Sequence, residues 1–109
     1  MTNWRPGVGA YWVAVHRDDD ATRIEAGGEL DLATRESLRD AVIDALAGAV
    51  PGELVVDLRE VTFIDAAAVQ AAVLDSADVA RAAGVRCRVL PSPRVCRILE
   101  IAGLDDVLN

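Results

Sequence analysis

The chain has 109 residues, 52% of them apolar and 27% charged, a balance that fits one globular domain with a single hydrophobic core. Aromatic residues make up only 4%, so the core must be built from Val, Leu, Ile and Ala. A net charge of −7 argues against nucleic acid as a partner, because an acidic surface repels phosphates.

Residues 1–9 read as an N-terminal arm, broken by Pro6, Gly7 and Gly9 and distinguished by Trp4; residues 10–109 read as the folded domain. Tyr11 to His16 is a first strand, and after a polar "RDDDAT" turn, residues 22–29 form a second, which makes a hairpin. Gly27 and Gly28 end that strand or bulge it. The next segment is helical. Leu38, Ala41, Val42, Ala45 and Leu46 recur at i, i+3, i+4, i+7 and i+8, with Thr34 as the expected N-cap and Gly48 as the stop.

After Pro51 and Gly52, residues 54–58 are a short apolar run typical of a central strand, followed by residues 61–64. Residues 66–83 are rich in alanine and free of glycine and proline, so a helix is predicted, with Val69, Val73, Ala77 and Ala80 as its buried stripe and Gly84 as its end. In "VRCRVL", Val85, Cys87 and Val89 alternate with Arg86, Arg88 and Leu90, placing the first three on the core side of a strand. Ser92 caps a last helix that starts with Pro93 and buries Val95, Ile98, Leu99 and Ala102 before Gly103. Leu104, Val107 and Leu108 then pack down as a half-turn. The order is β-β-α-β-α-β-α: an α/β domain with a mixed four- to five-stranded sheet, helices mainly on one face and a right-handed βαβ unit at its C-terminal half.

Catalytic and cofactor signatures are missing. No GxGxxG or GxxxxGK[ST] run is present, so no cofactor is expected. His16, the one histidine, falls on a probable edge strand and reads as a half-exposed surface residue. Two cysteines and one histidine, far apart in sequence, do not make a metal site. Cys87 and Cys96 read as inert buried thiols, with a redox pair as the alternative. Arg86, Arg88, Arg94 and Arg97 form a basic cluster that reads as solvated surface. Asp31 and Asp65 each follow a strand end, where functional loops of parallel sheets collect, and Asp65 can N-cap the helix that begins at Ala66. No apolar run approaches the ~20 residues of a membrane span, and no signal peptide is present, so a cytoplasmic protein without membrane insertion is expected.

Three segments in order, "GELDLAT" at 28–34, "LVVDLREVTFID" at 54–65 and "RAAGVRCRVLPSPRVCRILEIAGLDDVL" at 81–108, resemble the STAS domain, and more narrowly the bacterial anti-sigma factor antagonists. The resemblance implies a regulatory binding protein, not an enzyme. It would sequester a kinase-type anti-sigma factor and so release a sigma factor. In the family, that kinase phosphorylates a serine directly after an aspartate to end the interaction. The aspartate maps onto Asp65, the acceptor onto Ala66, the next residue onto Ala67 and a glycine onto Ala68; a second family aspartate maps onto Asp31. The hydroxyl of the switch is therefore absent. The resemblance nominates Asp31, Thr34, Asp65, Ala66, Ala67, Val69 and Gln70 as the partner-binding surface, with small residues at 66–68 allowing close approach. Thr62 and Ser76 are the nearest substitute acceptors. A STAS subunit of another assembly, an ABC-transporter ATPase partner or a stressosome-like scaffold, is the alternative; a homodimer is left open.

Overall fold

A computed structural model of the chain describes residues 11–18, 20–31, 34–47, 52–65, 68, 73–101 and 103. Four strands, β1 (Trp12–Arg17), β2 (Ala21–Leu30), β3 (Glu53–Ile64) and β4 (Arg86–Pro91), lie side by side in that order. β1 runs antiparallel to β2, while β2–β3 and β3–β4 are parallel. The crossovers carry helices α1 (Arg35–Leu46) and α2 (Asp75–Ala82), and α3 (Pro93–Ile101) follows β4. Sheet order thus follows chain order, a hairpin followed by two parallel crossovers. The N-terminal arm and the half-turn expected at 104–108 lie outside the described residues.

One apolar cluster joins the sheet to all three helices. Ile24, Ala26, Leu54, Val56, Leu58 and Val89 from the strands meet Leu38, Val42 and Ala45 of α1, Ala80 of α2, and Val95 and Leu99 of α3. The helices therefore cover one face. Each expected helical stripe holds over the described residues, with the polar side of α1 (Glu36, Arg39, Asp40 and Asp44) exposed. Val69 and Ala102 fall outside them.

The ends of the elements follow local chemistry. Gly84, at φ +74°, closes α2: its N–H donates to the Arg81 carbonyl and that of Val85 to the Ala80 carbonyl, at 3.0 and 2.8 Å. This pair of bonds is a Schellman cap, with buried Val85 and Ala80 as its apolar contact. Ser92 Oγ accepts from the Val95 N–H at 3.2 Å, the expected cap of α3.

Two expectations need correction. The runs 54–58 and 61–64 are one continuous strand of 12 residues. It stays in the sheet because register shifts at Glu25/Gly27 and Gly28/Glu29 absorb the break in alternation. Thr34 occupies the N-cap position of α1 but makes no side-chain cap; its hydroxyl is engaged elsewhere. The helix expected over 66–83 is α-helical at Ala68, π-helical at 73–74 and α-helical over Asp75–Ala82, while residues 66–67 and 69–72 lie outside the described residues.

The sheet face away from the described helices carries several ion pairs. Asp57, 1% exposed, accepts from Arg23 at 2.9 Å and from Arg59 at 2.8 Å, and the paired guanidiniums hold its carboxyl down at about 2. His16 meets Glu25 at 3.0 Å, and Arg88 lies 3.8 Å from Glu53. The Trp12 indole lies over Gly27, where a Cβ would collide with the ring.

Candidate functional site

The last paired residues of β2 and β3 are Leu30 and Ile64, partners in register, and the next residues are Asp31 and Asp65. Two aspartates thus leave neighbouring parallel strands at the same end of the sheet, each starting a turn into a helical segment. Both use the same device. Asp65 Oδ1 accepts from the Ala68 N–H at 2.7 Å, an aspartate N-cap of short, charge-assisted geometry. Asp31 Oδ1 accepts from the Thr34 N–H at 3.2 Å.

The turns differ in their fourth residue. Thr34 Oγ1 accepts from the Asp31 N–H at 2.9 Å and faces the Glu29 carbonyl at 3.1 Å, so Asp31 and Thr34 satisfy each other reciprocally. At the equivalent place in the second turn, Ala68 offers a methyl group that is wholly buried in the core. Ala68 is therefore not part of an approachable surface, contrary to expectation: its side chain is a core residue and its N–H is taken by Asp65.

Of the nominated contact residues, the structure brings Asp31, Thr34 and Asp65 to one end of the sheet, all partly exposed. Ala66, Ala67, Val69 and Gln70 lie outside the described residues. The two substitute acceptors separate cleanly. Ser76 is fully buried in α2, out of reach of a kinase, whereas Thr62 is exposed on β3 as the residue left over between the pairs Gly28–Val61 and Glu29–Phe63.

The other candidates stay apart from this corner. His16 is 48% exposed on the edge strand and bonded to Glu25, as a surface histidine. Arg86, Arg88, Arg94 and Arg97 are all exposed. Cys87 and Cys96 are half-buried free thiols, and burial, with Glu53 adding to it, pushes the Cys87 thiol up, away from the reactive thiolate. Among the described residues no group of three or more His, Cys, Asp or Glu side chains is placed to hold a metal ion. No helix among them is long and apolar enough to cross a membrane.

Sequence reasoning missed one residue of this region. Phe63, two positions before Asp65, is 42% exposed. Its strand position implied burial; the signal against it was the extra residue at Thr62, which turns Phe63 to the open face.

The two aspartate turns mark the loop-bearing end of a small α/β domain, at the C-terminal ends of neighbouring parallel strands. The chain matches the family model described as "Mlab, STAS domain" over residues 13–109. It is 34% identical over 105 residues to the anti-sigma-F factor antagonist RsfA of Mycobacterium tuberculosis, covering 94% of this chain and 81% of that protein. The chain belongs to the STAS domain family. Its fold is also that of the anti-sigma factor antagonist SpoIIAA in its unphosphorylated form, with a TM-score of 0.70 at 22% identity over 86% of this chain and 83% of the other. An anti-sigma factor antagonist from Mycobacterium paratuberculosis superposes with a TM-score of 0.67 at 22% identity, covering 90% and 82% of the two chains.

Proposed function

We propose that this protein is a cytoplasmic anti-sigma factor antagonist that binds a kinase-type anti-sigma factor through the paired aspartate turns and so frees a sigma factor. The reading draws on the likeness to RsfA, itself named as an anti-sigma-F factor antagonist, across nearly the whole chain. The observation that carries the rest is Asp65. It caps the helical segment from a turn in which position 66, the phosphoacceptor place of the family, is alanine. A phosphoserine there would bring about −1.5 to −2 charges next to Asp65 in the chain, and a partner's own carboxylates would be repelled. Alanine takes no phosphoryl group, so kinase activity does not switch the interaction off. Control then lies in the amount of protein made, in a competing antagonist or in the Cys87/Cys96 pair.

The test uses purified kinase-type anti-sigma factors and isothermal titration. The native chain binds, and Ala67→Arg abolishes binding. With kinase and ATP, the γ-phosphoryl group passes to the Ser Oγ of an Ala66→Ser variant, releasing ADP, while the native chain gains no mass. Phosphorylation of the native chain at this corner, or unchanged affinity of Ala67→Arg, refutes the reading.

A further inference from the structure

Phe63 is the one phenylalanine of the chain. A single exposed apolar residue needs no explanation, but the surroundings of this ring set it apart. β3 pairs with β4 only as far as Leu58 and with β2 as far as Ile64, so residues 59–64 project past β4 alongside β2. The register puts Phe63 beside Glu29, and Glu60 beside Gly27 under the Trp12 indole. A cavity of about 270 Å³ lined by Glu25, Asp57, Arg59 and Glu60 opens on the same face.

The charges there are not equivalent. Asp57 is neutralised by Arg23 and Arg59, and Glu25 faces His16 and Arg23. Glu29 and Glu60 are exposed, and among the described residues neither has an ion pair. Glu60 is also attracted to Arg59, but among the described groups around the ring, two residues from the Asp65 turn, the four carboxylates Glu25, Glu29, Asp57 and Glu60 outnumber the two guanidiniums of Arg23 and Arg59.

We propose that Phe63, flanked by Glu29 and Glu60, anchors an extended segment of a protein partner in which an apolar side chain lies between arginines or lysines. Interfaces place an aromatic anchor inside a polar rim, and complementary charge fixes register and partner choice. The proposal extends the antagonist reading and rests on it for the identity of that partner.

The first probe is a six-residue peptide of alternating valine and arginine, with glutamate in place of arginine as the control, titrated into the isotope-labelled full chain. The basic peptide shifts the amide resonances of Glu29, Glu60, Thr62 and Phe63, and Phe63→Ala weakens it about tenfold, as an aromatic anchor does. A Glu29→Arg/Glu60→Arg double variant prefers the acidic peptide, which keeps the test decisive if Phe63→Ala folds poorly. Equal response to both peptides, or shifts confined to other surfaces, overturns the proposal. So does a shift of the Phe63 resonance on deleting residues 2–9, which makes the chain's own arm the occupant, or on raising protein concentration, which makes it a second copy. Against the anti-sigma factor, loss of binding in both Ala67→Arg and Phe63→Ala supports both ideas. Loss in Ala67→Arg alone overturns the anchor and leaves the antagonist reading standing.

Discussion

The turn from Asp31 to Thr34 and the turn from Asp65 to Ala68 leave adjacent strands in the same direction, and each is closed by an aspartate oxygen on a backbone N–H three residues on. They part company at the fourth residue. Thr34 is half-buried and returns a hydrogen bond to Asp31, so the first turn is held by polar reciprocity. Ala68 is sealed in the core, so the second turn is held by one charge-assisted bond and by packing. Similar backbone tasks are thus met by different side-chain chemistry, and the turn without hydroxyls is the one proposed above to hold the switch position.

The comparison breaks most visibly if a charge is placed at the fourth residue of each turn. Ala68→Asp should destabilise the protein by about 3–5 kcal/mol or prevent folding, since it buries an unpaired carboxylate. Thr34→Asp should cost under about 1 kcal/mol at a half-exposed site. Urea denaturation of the two variants measures the contrast; similar losses would show that the turns are not different in kind.

Removing the aspartates sharpens it. Asp65→Ala should cost about 1–2 kcal/mol, the upper range for a lost N-cap. Asp31→Ala should cost less, about 0.5–1 kcal/mol, because its bond is longer, at 3.2 against 2.7 Å. Thr34→Ala removes the hydroxyl to which the Asp31 N–H donates and should cost about 1 kcal/mol, while Thr34→Ser restores the native value.

Acid separates both turns from the sheet. The Asp57 carboxyl is depressed to about 2, so it binds its proton more readily in the unfolded chain than in the folded one. Its contribution is complete above the ordinary aspartate range, near 4, and is lost as pH falls from there through 2. Because Arg23 and Arg59 are 37% and 59% exposed, solvent screening holds that contribution to about 1 kcal/mol. Stability against pH, compared between the native chain and Asp57→Asn, should lose part of its acid slope in the variant, with the two turns unaffected.

The smallest effect is at the cysteines. With its thiol raised by burial, Cys87 should alkylate with iodoacetamide more slowly at pH 8 than a free thiol. Two free thiols by mass after mild oxidation would remove the redox pair from the regulatory options.

Periodicity and end signals in the chain itself determined the element order, the helical stripes over the described residues, the Ser92 cap, the Gly84 and Gly103 stops and the aspartate positions. These are local properties: a stripe needs only the 3.6-residue repeat, and a cap only a neighbour three residues away. Tertiary structure alone decided what depends on register. The bulges in β3 merge two apparent strands into one, turn Phe63 outward and leave Thr62 exposed, because one extra residue exchanges the faces of everything beyond it. It also decided that Ala68 and Ser76 are core and that Asp57 gathers two arginines, since burial and ion pairing join residues that no spacing in the sequence relates.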